Sequence, residues 1–198
     1  MSPFAVLHVC MGNICRSPMA ERLLRQAAQE RVGDKVDELL LLSHSAGTGG
    51  WHAGEEMNPP AAREVRRRGG DYTGFAARKL RAEHVERSDL ILTATAEQVD
   101  YVLGLRPDAA GRTFVFGEFG RLLNRVDAAE LPAAAPVPDA VHARGVALVE
   151  AADAARAGQA PRPEDELDDP WGRGDSFFAR VADEIQDVVR PFAAVLLG

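Results

Sequence analysis

Phe4-Ala5-Val6-Leu7-His8-Val9-Cys10-Met11-Gly12-Asn13-Ile14-Cys15-Arg16-Ser17-Pro18 is the stretch on which the reading of this chain turns. An apolar run ends at a cysteine, a short loop containing glycine follows, and the helical pattern Met19-Ala20-Glu21-Arg22-Leu23-Leu24 comes next. The order is strand, loop, helix. Pro18 suits a first helical turn, where its missing N–H has no partner to lose, and Ser17 is then placed as the N-cap. Loop amides and a helix N-terminus converging on one point make an anion site. Their positive ends favour a thiolate at Cys10, and the Arg16 guanidinium can grip two oxygens in a fork. Such a cradle suits a tetrahedral dianion attacked by sulfur, that is, phosphoryl transfer through a cysteinyl intermediate. Gly12 is expected to take positive φ so that the amides curl inward. The Ser17 hydroxyl is placed to hydrogen-bond the thiolate, and Asn13 to hold the loop from behind. A bare cysteine and arginine at this spacing is common by chance, and the bland alternative is a buried cysteine beside a surface arginine. The strand–loop–helix setting is what favours chemistry.

Outward from this stretch, strand-like and helix-like segments alternate, which predicts an α/β fold on a parallel sheet. Strands are expected at Phe4–Cys10, Leu39–Ser45, Ser88–Ala94 and Thr113–Phe116. Helices are expected at Pro18–Arg31, Pro60–Arg68, Ala96–Leu103, Gly117–Asn124 and His142–Ala157. A last helix, Ser176–Leu197, carries Phe177, Val181, Ile185, Val188 and Phe192 on one face. Residues 127–166 are rich in Ala and Pro and read as an elaborated surface connection within one domain spanning residues 1–198.

The chain has 198 residues, 46% hydrophobic and 27% charged, an ordinary globular composition able to bury a sizeable core. Its net charge of −7 argues against a general nucleic-acid binder. Arg66-Arg67-Arg68 and Arg78-Lys79-Leu80-Arg81 read first as solvated faces. No basic leader precedes the first apolar run, and no stretch approaches the roughly 20 apolar residues that span a bilayer, so no membrane role is expected. Only Cys10 and Cys15 occur, too close to form a structural staple, which fits a reducing cytoplasm. Without a Cys/His cluster at ligand spacing, neither a metal nor any other cofactor is implied. Oligomeric state is not legible.

Val9-Cys10-Met11-Gly12-Asn13-Ile14-Cys15-Arg16-Ser17-Pro18-Met19-Ala20-Glu21 resembles the signature of the low-molecular-weight protein tyrosine phosphatases. Ser45-Ala46-Gly47-Thr48 with Trp51-His52-Ala53-Gly54 is similar to that family's second segment. Ala77-Arg78-Lys79-Leu80 and Ser88-Asp89-Leu90-Ile91-Leu92 resemble its middle, and Asp168-Asp169-Pro170-Trp171-Gly172 its general-acid loop. The likeness runs in order along the chain except for about residues 127–166. It implies a three-layer α/β fold with a mainly four-stranded central parallel sheet, helices on both faces and flavodoxin-like topology. It also implies hydrolysis of phosphotyrosine proteins or small aryl phosphates. Cys10 is then the nucleophile. Arg16 and the loop residues Met11, Gly12, Asn13, Ile14, Cys15 and Ser17 bind the phosphoryl group. Asp169 is the acid, with Asp168 as rival, and Trp51 and Trp171 wall the aryl ring. His44 and His52 read as structural. Cys15 is either a small buried side chain behind the loop or a reversible disulfide partner of Cys10 under oxidation.

Three positions depart from the family pattern. Phe75 stands where a histidine often supports the loop, Thr93-Ala94-Thr95 replaces a stretch that often carries an aspartate, and His8 replaces an apolar strand residue. Two other classes compete. An arsenate reductase on the same scaffold, using an external small thiol, needs only Cys10. A phosphocysteine carrier needs no Arg16, so that residue speaks against it.

Overall fold

The computed structural model describes residues 3–37 and 41–198. Four parallel strands, β1 (Phe4–Cys10), β2 (Leu41–Gly47), β3 (Leu90–Thr93) and β4 (Thr113–Val115), pair in the order β2-β1-β3-β4. Register is continuous from Phe4 opposite Leu41 to Cys10 opposite Gly47, and from Val6 opposite Leu90 to Val9 opposite Thr93. β1 is therefore central. The chain crosses to one side of it to make β2 and to the other side for β3. Reversal of this kind opens a crevice at the carboxyl ends of the strands, which is where α/β sheets place ligands. Cys10 is the last residue of β1. Topology and layers are those the sequence and the resemblance lead one to expect.

Side chains alternate across β1 and so build two cores. Phe4 and Val6 face the larger one, formed with α1 (Arg16–Val32), α2 (Pro59–Arg67), α5 (Phe116–Leu123), α6 (Pro138–Arg156) and α7 (Asp175–Leu197). Leu7 and Val9 face a smaller one with Leu80, Val85 and Val102, the last two carried by α3 (Ala82–Glu86) and α4 (Ala96–Leu105). Met19, Leu23, Leu24, Ala27 and Ala28 of α1 recur at helical spacing and are buried, which is why α1 forms and which face it presents.

Several elements differ from the sequence reading. α1 starts at Arg16 with Cys15 as N-cap, so Ser17 is not the cap; its hydroxyl is engaged by the Cys10 sulfur instead. β2 runs to Gly47, and Leu39 and Leu40, assigned to it from sequence, lie outside the described residues. Phe178 is fully buried in the core, whereas Phe177 packs against it only partly buried, with the guanidinium groups of Arg173 and Arg180 4.9 and 4.3 Å from its ring centre. The 127–166 stretch is more than a surface connection. Its 19-residue helix α6 buries Val141, Leu148, Val149 and Ala152 in the larger core. There Gly145 lies so close to Phe4 that a Cβ would stand 2.4 Å from the ring. Alanine-rich spacing concealed this because a helix that packs through small residues carries little apolar contrast.

Candidate active site

The loop Met11–Cys15 connects β1 to α1 and turns through Asn13, which takes φ +56°. Gly12 does not adopt positive φ as expected. Its missing side chain leaves room for His52, whose Cδ2 would lie 3.1 Å from a Cβ placed there. An asparagine tolerates the left-handed region when its side chain is held locally, and this one is. Asn13 Nδ2 donates to the hydroxyls of Ser17 and Ser45, each at 2.9 Å, while its Oδ1 accepts the Arg78 N–H at 2.9 Å. Asn13 is wholly buried and supports the loop from behind, as its residue type predicts. The loop's entry is braced from β2: Thr48 and Gly49 donate their N–H groups to the carbonyls of Cys10 and Met11, both at 2.9 Å.

Cys10 Sγ sits 2.9 Å from the Ser17 hydroxyl and accepts the Asn13 N–H at 3.3 Å. The Ser17 hydroxyl and the Asn13 N–H thus converge on one sulfur, the arrangement that charge-assisted hydrogen bonding to a thiolate requires. Cys15 is buried beside it, and burial, followed by the neighbouring Cys10, pushes its thiol up to about 12. Burial thus favours the neutral thiol at Cys15.

Arg16, 4% exposed, sends Nη1 to the Leu167 carbonyl at 3.0 Å and Nη2 to Asp169 Oδ2 at 3.0 Å. Its Nε has no partner among the described residues. Of the two candidate acids, Asp168 is turned outward and paired with Arg180 at 2.8 Å, whereas Asp169 faces the loop. The Asp169 turn is closed by the Trp171 N–H donating to its Oδ1 at 3.1 Å.

Cys10, Met11, Gly12, Ile14, Cys15, Arg16, Trp51, Asp169 and Trp171 line one cavity of about 200 Å³. Asn13 and Ser17 lie behind it. Trp51 and Trp171 are 65% and 63% exposed, so their rings stand as walls and not as core. His52 also lines the cavity, beyond the structural role read from sequence, with Nδ1 2.7 Å from Glu55 Oε2. Larger cavities of about 410 and 700 Å³ lie elsewhere, and neither contains a cysteine. Phe75 lines the first of these, with the Arg22 guanidinium 5.9 Å from its ring centre, and belongs to the main core. Among the described residues no cluster of three or more His, Cys, Asp or Glu could hold a metal.

A family model described as low molecular weight phosphotyrosine protein phosphatase matches residues 5–133. The chain belongs to that family. It is 35% identical over 136 residues to the low molecular weight protein-tyrosine-phosphatase YfkJ of Bacillus subtilis, covering 68% of this chain and 79% of the relative. Etp of Escherichia coli K12, named likewise, is 37% identical over 115 residues, covering 58% of this chain and 70% of Etp. The crystal structure of Bacillus subtilis YfkJ shares the fold with a TM-score of 0.66 at 22% identity, covering 98% of this chain and 94% of that one. Wzb from Escherichia coli K30, solved in complex with sulphate, shares it at 0.63 and 20% identity, covering 96% of each chain. The matched residues take in the loop Met11–Cys15 and Arg16, while Asp168 and Asp169 lie beyond them.

Proposed function

We propose that this phosphatase hydrolyses phosphotyrosine and related aryl phosphate monoesters through a phosphocysteine at Cys10. One observation carries the reading: Cys10, Arg16 and Asp169 converge on a single cavity flanked by two exposed tryptophans. The names of the relatives support the substrate class.

The geometry accounts for each step. Cys10 Sγ attacks phosphorus in line with the leaving oxygen, so an S–P bond forms as the P–O bond breaks. Loop amides from Met11 to Arg16 hold the equatorial oxygens, where charge resides in the transition state. Arg16 adds a fork, with Nε and Nη2 the two corners toward substrate. Asp169 gives its proton to the departing phenolate, and its carboxylate then takes one from water. That water oxygen forms the new P–O bond as the S–P bond breaks, releasing phosphate and the thiolate, which the Ser17 hydroxyl stabilises. Trp51 and Trp171 supply apolar walls for the ring. Gly12, Ile14 and Cys15 contribute backbone and shape.

Among the described residues no helix is long and apolar enough to cross a membrane. A cysteine that must stay reduced supports action in the cytoplasm on a protein or small-molecule substrate.

The test is hydrolysis of phosphotyrosine peptide and 4-nitrophenyl phosphate by wild type, Cys10→Ser and Asp169→Asn, with thiol-dependent arsenate reduction run in parallel. Wild type should hydrolyse both esters and Cys10→Ser neither. Arsenate turnover without ester hydrolysis would overturn the reading.

A further inference from the structure

Residues 165–167 are fastened to the carboxyl edge of the sheet at three successive positions. Leu167 donates its N–H to the Ala94 carbonyl at 2.9 Å, just beyond β3. Glu166 Oε1 accepts the Ala96 N–H at 2.8 Å, at the start of α4. Asp165 is 4% exposed and meets Nε and Nη2 of Arg121, on α5, at 3.2 and 2.8 Å. Its second oxygen also accepts the Arg162 N–H at 2.8 Å. The seat is tight. A Cβ on Gly117 of α5 would stand 2.7 Å from the Asp165 carbonyl oxygen.

What this fastening delivers to the active site is one carbonyl. Leu167 O accepts Nη1 of Arg16 at 3.0 Å. Nη2 is held by Asp169, which must move to the leaving oxygen, and Nε has no partner among the described residues. The Leu167 carbonyl is therefore the contact that keeps the guanidinium plane in place while the other two corners serve the phosphoryl group. A bidentate grip depends on that plane, and misplacement by about 1 Å carries a large penalty.

We propose that Arg121 and Asp165 are positioning residues for Arg16. Their ion pair locks residue 165 against α5, this sets the Leu167 carbonyl, and the carbonyl sets the fork that binds the phosphoryl oxygens. The role of Arg16 rests on the phosphatase reading above; the contacts that orient it do not.

Anion recognition by Arg16 can be measured without turnover. Iodoacetate, an anion, should alkylate Cys10 faster than neutral iodoacetamide, and the ratio of the two rates reports the guanidinium in place. Arg121→Met is expected to lower that ratio and raise the inhibition constant of inorganic phosphate by about tenfold each, the size of one misplaced charge-assisted bond, with kcat falling less. Arg121→Lys should recover most of both. Arg106→Met, which removes an exposed pair with Glu86 and Asp108, should leave both unchanged. A folded Arg121→Met protein with ratio and inhibition constant within about twofold of wild type overturns the proposal, as does an equal loss in Arg106→Met. If Arg121→Met does not fold, Gly117→Ala, which keeps every polar group and crowds residue 165, is read by the same two numbers. A wild type that prefers iodoacetate yet hydrolyses no phosphate ester sinks the phosphatase reading alone.

Discussion

Arg16 Nη2 and Asp169 Oδ2 form a 3.0 Å ion pair between the loop's buried guanidinium and a half-exposed carboxylate. On the mechanism proposed above, Asp169 holds a corner of the fork that a phosphoryl oxygen would take, and substrate would displace it toward the leaving oxygen.

Asp169→Asn removes both the proton source and this competition. For 4-nitrophenyl phosphate and phosphotyrosine, kcat should fall about 10²- to 10⁴-fold, least for the better leaving group. Inorganic phosphate should meanwhile inhibit more tightly, because Arg16 is released. Steady-state kinetics with phosphate as inhibitor checks both; undiminished kcat for phosphotyrosine removes Asp169 from the role of acid.

Ser17→Ala leaves the Cys10 sulfur with only the Asn13 N–H among the bonds described for it. Hydrogen bonds to charged groups are worth about 1.5–3 kcal/mol. Loss of this one should slow release of the thiolate roughly 10- to 100-fold. Rapid-quench measurement of the phosphoenzyme should show it accumulating relative to wild type.

Trp51→Ala and Trp171→Ala test the walls. An aromatic contact beyond area burial is worth about 1 kcal/mol, so KM for aryl phosphates should rise roughly fivefold in each. Inhibition by inorganic phosphate should not change. A parallel shift in both constants would mean that the tryptophans support the loop and not the ring.

His8 is buried in β1 with Nε2 3.1 Å from the Ser43 hydroxyl, and burial, then His44, drives it from its ordinary 6.5 to about 3. His44, on β2, is lowered to about 4 by burial, then by Arg78. Both imidazoles are neutral in the fold. Below the ordinary value the unfolded chain binds protons that the native state refuses, so stability falls with pH until the folded groups titrate. Urea unfolding between pH 6.5 and pH 4.5 should show this decline. His8→Phe should flatten it by on the order of 1 kcal/mol per pH unit, the value of one proton. An unaltered slope would show that His8 is already charged in the native state.

The cradle from Cys10 to Ser17 was legible because its parts are covalent neighbours, and a strand–loop–helix context leaves them few ways to fold. Even so, spacing pointed to Gly12 for the positive φ that Asn13 takes, since an asparagine anchored to Ser17, Ser45 and the Arg78 N–H pays little for that conformation. Only the resemblance separated Asp169 from its neighbour Asp168 in the sequence; Arg180, one turn into α7, pairs with Asp168 and leaves Asp169 to Arg16. His52 looked structural because its place over Gly12 follows from a β2-to-loop approach that no local pattern encodes.

Sequence alone determined the candidate nucleophile, the loop that cradles it, the alternation that makes a parallel sheet, and through resemblance the family. These are encoded within about a dozen residues at a time, by propensity and by backbone groups that adjacent positions must share. Only the tertiary structure decided which aspartate meets Arg16, which carbonyl orients it, and that α6 belongs to the core. Those outcomes depend on groups far apart in the chain meeting within about 3 Å, and a backbone carbonyl such as that of Leu167 looks the same at every residue until folding gives it a partner.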